Sequence, residues 1–338
     1  MFLYRNILKK SLAITWGHKY LWFFGIFAAL LGGIDSYSMS FSRMPENWNT
    51  SIFSALAIFF NGAAAGGNFF HNIIFLFKQD PFSATILATF ILIIILVSLF
   101  LLWLAVVSQI GLINNSAKVI ISDGKKDWIT IKEGLAVGIK KFWQILGFNL
   151  INVSLVCFFA VLIGLPLIFL TPQSGLGIYL LYIFLFVFLT PVALIVSFLF
   201  KYAICFSVIK EYKFVDSFVE ACRLFGKYWL VSIEMALILF IIDFLAVVAV
   251  GMAFLILAIP YIFAARILSL SIFMAVGTDS FFQLALMLGM LLSLIFVVLA
   301  GAVITCFKTV AWTDLFISLV DKKGGLSKIA RLAASLKK

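Results

Sequence analysis

Long apolar segments dominate this sequence of 338 residues and restrict it to one structural class. Charged residues make up only 12% of the chain, whereas soluble domains contain about a quarter. A helix must be long and apolar to cross about 30 Å of hydrocarbon. Six segments are candidates for this, at about 20–38, 83–112, 142–170, 176–207, 229–259 and 281–313. The sequence therefore predicts an all-α, polytopic helical membrane protein with about six transmembrane helices.

A short motif recurs ahead of three of these segments. A basic amphipathic stretch runs through a Gly into a Lys–aromatic step, and the copies read Lys19-Tyr20-Leu21-Trp22, Lys141-Phe142-Trp143 and Lys227-Tyr228-Trp229-Leu230, with Gly17, Gly138 and Gly226 just before them. We call this unit an elbow: a helix on the membrane surface that turns at the Gly and enters lipid at the Lys/aromatic anchor. Two elbows begin with capping patterns, Thr130-x-x-Glu133 and Ser217-x-x-Glu220.

The elbows divide a single integral membrane domain, 1–338, into three parallel repeats of one elbow and two spans. The repeats cover about 1–113, 128–207 and 214–313. A basic amphipathic helix predicted over 325–338 forms a fourth elbow. The first apolar segment is interpreted as an uncleaved helix rather than a signal peptide. Segment 51–78 is either a re-entrant hairpin or a pair of interfacial helices.

Positive charge follows the predicted topology. The formal net charge is +11, and 22 of the 25 Lys and Arg residues fall on the side of the N-terminus when six spans are assumed. Cytoplasmic loops are enriched in Lys and Arg, so both termini are predicted to be cytoplasmic in a multi-pass protein of the bacterial inner, or plasma, membrane. Nucleic acid is not an expected partner, because nucleic-acid binders concentrate this charge on a polar domain.

Polar residues within apolar segments are functional candidates, because ionised groups are costly in lipid. The candidates are Asp243, Glu234, Lys201, Lys308, Thr190, Asn149 and Asn152. Asp243, predicted near the midpoint of the fifth span, has three interpretations. It donates to the carbonyl that Pro191 leaves free, it has a proton- or cation-linked role, or it faces a water-filled gap.

Three further sets have simpler interpretations. Glu234 either pairs with Lys201 or Lys308 to pin helices together, or those two lysines form an anion or lipid-headgroup site. Asn149 and Asn152 are predicted to make interhelical hydrogen bonds. Predicted lipid-headgroup and interface residues are Lys19, Trp22, Lys140, Lys141, Trp143, Arg223, Lys227, Trp229, Lys328 and Arg331.

No enzyme chemistry is indicated. Phosphate-binding loops, nucleophile elbows and clustered carboxylates are absent from the sequence. His18 and His71 are far apart, and the four cysteines form no CxxC motif and are interpreted as buried small hydrophobes. We therefore expect no metal, no cofactor and no enzymatic activity.

The elbow-and-span rhythm also carries a family resemblance. Its residues are Gly134-Leu135-Ala136, Lys140-Lys141-Phe142-Trp143, Leu146-Gly147, Ser217-Phe218, Ala221, Leu224 and Tyr228-Trp229. The chain resembles bacterial polytopic membrane proteins of poorly known function, and in particular the membrane domain fused to some glycerophosphodiester phosphodiesterases. The resemblance implies an architecture and no activity, because no phosphodiesterase catalytic domain is found in this sequence.

Two functions remain as hypotheses. In the first, basic elbows bind anionic lipid headgroups, and the chain acts in membrane organisation, lipid handling or the assembly of partners. The expected partners are another membrane protein or a second copy of the chain. In the second, the chain is a transporter or channel that uses Asp243 with Glu234, Lys201 and Lys308. A polar cavity that reaches Asp243 would favour the second.

Overall fold

The computed structural model describes residues 2–37, 81–122, 131–168, 176–276 and 280–321. In these ranges the chain forms α1 (Phe2–Gly17), α2 (Tyr20–Tyr37), α3 (Pro81–Ile121), α4 (Ile131–Ile168), α5 (Leu176–Ile209), α6 (Phe214–Val276) and α7 (Ser280–Val320). Helices α3 to α7 each contain a segment long and apolar enough to cross a membrane. The predicted class, an all-α multi-pass membrane protein, is confirmed at this level.

The chain divides into two compact units, residues 1–29 with 105–338, and residues 30–104. Within the first unit α4 packs on α5, α5 on α6, α6 on α7, and α7 on α1. Phe24 of α2 lies against Gly111 of α3, and Val107 of α3 lies against Gly138 of α4. These contacts form a closed circuit. In the second unit, the first part of α3 exposes apolar side chains such as Leu92 and Phe100.

The helix axis breaks at two of the three predicted elbows. Helix α1 ends at Gly17 and α2 begins at Tyr20. The indole N–H of Trp22 donates to the Thr15 carbonyl at 2.8 Å and so ties the two helices across the break. In α6, Tyr228 has φ −127° and ψ 29°, which interrupts the helix. Both breaks fall at the Lys–aromatic step or directly before it.

The turn predicted at the second elbow is wrong, because α4 runs without interruption through Gly138. A Cβ atom at Gly138 would lie 2.7 Å from Val107 Cγ1 and 2.8 Å from the Val107 carbonyl oxygen. Gly138 therefore lets α3 and α4 cross closely and does not bend the chain. Gly17 and Gly226 have no atom within 4 Å of an added Cβ, so three glycines with the same sequence context have different surroundings.

The predicted capping box at Ser217 is also wrong. The Ser217 N–H donates to the Lys213 carbonyl at 2.9 Å, so the helix has already begun, at Phe214. Glu220 accepts a hydrogen bond from Arg223 instead of reaching back to Ser217. The cause is packing: the Phe214 ring stacks on Phe148 of α4 at 4.1 Å and holds an additional helical turn in place.

Most described helices continue beyond the predicted spans. Elbow and span form one continuous helix in α4, whereas in α6 the predicted span 229–259 follows directly on the break at Tyr228. Three predictions fall outside the described residues: the cap at Thr130, segment 51–78, and the predicted helix 325–338 with Lys328 and Arg331.

The glycine environments predict opposite effects of alanine. Gly138→Ala must displace Val107 and should cost about 1–3 kcal/mol of stability, as overpacking does. Gly17→Ala and Gly226→Ala should leave stability unchanged or raise it by up to about 1 kcal/mol through helix propensity. Thermal unfolding of the three purified variants in one detergent measures this. Equal losses at all three positions would contradict the packing role of Gly138.

Candidate functional site

Buried side chains concentrate at one end of the first compact unit. We call this end the packed layer and define it as residues 4–28, 105–120, 131–148, 198–243 and 302–319. Aromatic rings join its helices: Phe206 meets Phe316 edge-on at 4.8 Å, and Tyr202 meets Trp312 at 5.6 Å. The hydroxyls of Tyr202 and Ser232 are hydrogen-bonded at 2.7 Å. Helices α5, α6 and α7 are thus fixed to one another here.

Beyond the packed layer the helices expose long runs of apolar side chains. Exposed apolar residues continue to Leu102 in α3, Ile195 in α5 and Leu299 in α7, and the buried residues of the packed layer begin three positions later in each helix. The exposed segments contain about 20 residues, which is the length that crosses the hydrocarbon of a bilayer. The structure therefore separates a lipid-compatible part of each helix from a part that packs on protein.

An ion pair joins α6 to α7. Lys308 Nζ lies 3.1 Å from Asp243 Oδ1, and the two side chains are 39% and 36% exposed. The carboxylate that Lys308 binds is thus Asp243, whereas sequence analysis proposed Glu234 as a lysine partner and the carbonyl near Pro191 as a partner for Asp243. The local sequence carried no signal for this pair, because its members are 65 positions apart.

Glu234 and Lys201 have other contacts in the packed layer. The buried Tyr4 hydroxyl of α1 donates to Glu234 Oε2, which connects the N-terminal helix to α6. Lys201 Nζ lies 5.4 Å from the ring centroid of Trp312 and 5.8 Å from that of Phe198. Such cation–π geometry stabilises an ammonium group that has lost part of its water. All four predicted charged residues therefore make contacts within the first unit.

Two lysines bind carbonyls at helix C-termini. Lys141 Nζ donates to the Ser207 carbonyl near the end of α5, and Lys10 Nζ donates to the Ile120 carbonyl at 3.1 Å, at the end of α3. A cation at this position satisfies free carbonyls and is stabilised by the negative end of the helix dipole. Lys141 was predicted to bind lipid headgroups. Its amine contacts protein in the structure, and its binding to headgroups stays a prediction.

The other described interface residues remain accessible. Lys19, Lys140, Arg223 and Lys227 are exposed, and the Trp143 and Trp229 side chains are 80% and 53% exposed. Lys227 Nζ lies 5.3 Å from the Tyr228 ring, beside the break in α6. Trp22 is the exception, since it packs against the core of α1, α2, α3 and α7.

The remaining polar candidates have mixed outcomes. Asn149 Nδ2 donates to Gln109 Oε1 of α3 at 2.7 Å, which confirms the predicted interhelical bond. For Asn152, the buried Oδ1 has no hydrogen-bond partner in the described part of the chain. Thr190 is partly exposed on α5, about three turns from Lys201.

Small polar residues of α1, α3 and α7 are buried as well, and no sequence pattern singled them out. Ser11, Ser116 and Thr313 are fully buried, and Asp314 is 6% exposed. Small polar residues on amphipathic helices give no distinct signal, because they also occur on solvated faces.

The cysteine prediction was half right: Cys205 and Cys306 are buried, whereas Cys157 and Cys222 are exposed, and all four are free.

The Asp243–Lys308 pair predicts a charge-swap rescue. Asp243→Lys or Lys308→Asp alone places like charges together and should lower the unfolding temperature. The double swap restores opposite charges and should recover most of the loss. Asp243→Asn should cost about 0.6 kcal/mol, the average for an interhelical polar contact in a membrane protein. Thermal unfolding in detergent measures all four variants. A double swap no more stable than either single variant would show that the pair does not couple the helices.

Comparisons with known proteins leave the family of this chain undefined. No protein-family model, no curated protein and no solved structure matches the sequence or the fold. The resemblance to membrane domains fused to glycerophosphodiester phosphodiesterases stays a prediction.

Proposed function

We propose that this chain is a non-enzymatic membrane protein that crosses the membrane six times and binds anionic lipid headgroups through its basic elbows. The observation that carries the proposal is the set of exposed basic residues in the packed layer, together with the exposed Trp143 and Trp229. Such engagement suits membrane organisation, lipid handling or the assembly of partners.

The number of crossings follows from a parity argument. Five candidate spans alone would put the two ends of the described chain on opposite sides of the membrane. Yet α1 packs on α7, and the Thr15 hydroxyl lies 4.0 Å from Cys306 Sγ in the packed part of α7. We therefore infer one further crossing before Pro81, to which the apolar helix α2 contributes. This supports the six-span topology with both termini on one side.

The side of the membrane on which the packed layer lies is assigned from its charge. The exposed basic residues of the elbows and turns of the packed layer are Arg5, Lys9, Lys19, Lys132, Lys140, Lys210, Lys213, Arg223 and Lys227. Lys and Arg are retained on the cytoplasmic side of membrane proteins. Each contributes roughly 1 kcal/mol near an anionic leaflet. We therefore place the packed layer at the cytoplasmic headgroups and the exposed apolar segments in the hydrocarbon.

This placement also changes the membrane depth expected for Asp243 and Lys308. Lys308 belongs to the packed layer, and its bond to Asp243 holds that carboxylate at the same level. Both groups then lie near the inner boundary of the hydrocarbon rather than at its centre, where an ionised side chain would be most costly. A half-exposed ion pair is reasonable there, because headgroups and water reach it.

The alternative, a transporter or channel, has less support. Its four charged residues are engaged: Asp243 with Lys308, Glu234 with Tyr4, and Lys201 with aromatic rings. The cavity described between α6 and α7 is apolar and is lined by residues 254–262 and 286–296, which do not include Asp243. It therefore gives no polar path to this carboxylate.

The topology predicts opposite labelling of two engineered cysteines. Ser122→Cys should be cytoplasmic and Ser174→Cys external, in a background where Cys157 and Cys222 are replaced by serine. A membrane-impermeant maleimide applied to intact cells should label only position 174, and both positions should react after lysis. Labelling of both positions in intact cells would contradict the six-span model.

The headgroup proposal predicts charge-dependent stabilisation by lipid. Phosphatidylglycerol should raise the unfolding temperature of the purified protein more than phosphatidylcholine does. Arg223→Glu with Lys227→Glu should reduce this difference, because about 2 kcal/mol of attraction becomes repulsion. The matched control, Arg223→Lys with Lys227→Arg, keeps the charge and should behave like the wild type.

Either of two outcomes would contradict that proposal. One is an equal response of the wild-type protein to the two lipids, and the other is an unchanged response in the Glu variant.

A further inference from the structure

The ends of α6 and α7 distant from the packed layer are held together by their own set of contacts. The Tyr261 hydroxyl donates to the Ala285 carbonyl at 2.6 Å. The Tyr261 ring lies against Gly289, where an added Cβ would come within 2.5 Å of it. Further out, the Arg266 guanidinium lies 5.0 Å from the centroid of the Phe282 ring. With the Asp243–Lys308 pair, α6 and α7 are thus joined at two separate levels.

A cavity of about 420 Å³ lies between the two helices, within the span bounded by those levels. Its lining includes Leu257, Ala258, Ile262, Leu286, Met290 and Phe296. The two hydroxyls in the lining are already satisfied, because Ser293 donates to the Met290 carbonyl and Tyr261 donates to Ala285. The cavity therefore offers dispersion contacts and no free polar group. Its volume falls in the range of about 300–1,000 Å³ found for small-molecule sites.

A positively charged side chain, that of Arg266, lies at the outer rim of this cavity. Arg266 lies one turn beyond the lining residue Ile262, and its partner Phe282 lies one turn before the lining residue Leu286. Arg266 is exposed, and in the described ranges its contact is with a ring rather than a carboxylate. Its planar group of five donors matches the oxygens of a phosphate. An apolar chain in the cavity would thus continue into a headgroup beside a fixed positive charge.

We propose that this cavity holds one acyl chain of an anionic phospholipid, whose phosphate is bound by Arg266. A membrane lipid fits the site because the helices on both sides of the cavity expose apolar residues, such as Phe254 and Leu291. The Arg266 charge favours an anionic lipid, because in a zwitterionic lipid the ammonium group of the headgroup offsets the charge of the phosphate. This site is separate from the basic elbows, since it lies at the other end of α6 and α7, and it does not depend on their function.

The test counts lipids that resist removal. The full chain is purified with equal parts of phosphatidylglycerol and phosphatidylcholine, stripped with detergent, and weighed by native mass spectrometry. The wild-type protein should retain one more phosphatidylglycerol than Ala258→Phe, which fills the cavity. Ala249→Phe is the matched control, because Ala249 is exposed on the same helix outside the cavity lining and should keep that lipid.

The headgroup contact has its own variant. Arg266→Gln should lower the preference for phosphatidylglycerol over phosphatidylcholine by about fivefold, because it removes the attraction of one positive charge for an anionic headgroup. Ser293→Phe fills the cavity from α7 and replaces Ala258→Phe if that variant does not elute as a single species. Equal lipid counts in the cavity-filled and control variants would overturn the site. An unchanged preference in Arg266→Gln would overturn its selectivity for anionic lipid.

Discussion

The close approach of α2 to α7 holds the packed layer together. A Cβ on Gly25 would lie 2.5 Å from the Ala302 carbonyl oxygen, so the two backbones touch with no side chain between them. Around this point, Phe24 covers Gly111 of α3 and packs in one apolar cluster with Leu21 and Val310. Because α2 also contacts α3 through Phe24, this approach links the N-terminal part of the unit to its last described helix.

Features set by local sequence were predicted well. The all-α class, the apolar helices, and the breaks near Lys19 and at Tyr228 follow from composition and from the Lys–aromatic step. The second elbow failed because Gly138 has the same sequence neighbours as the true break sites, although its role is set by Val107 of another helix. The ends of α3 and α7 were predicted too early, at 112 and 313, since hydropathy shows what lipid tolerates and not where packing on protein continues.

The candidate site was predictable in its residue types and not in its pairings. Asp243, Lys308, Glu234 and Lys201 stood out because charges are rare in apolar helices, but their partners lie up to 230 positions away. Lys141 shows the same limit: its sequence fits a lipid anchor, and only the fold reveals a helix end within reach. Together these contacts divide the basic residues into a few that hold the layer together and many that remain accessible for headgroups.

The contact between Thr15 and Cys306 has a consequence for biogenesis. The two residues are separated by 291 positions, so the N-terminal helix is synthesised long before its binding surface on α7 exists. At 5–20 residues per second, the wait lasts about 15–60 seconds. During that time α1 must rest on the membrane surface or on an insertion factor with its apolar stripe covered. Docking of α1 on α7 therefore cannot precede the synthesis of α7, and a truncation that removes Cys306 also removes this contact of α1.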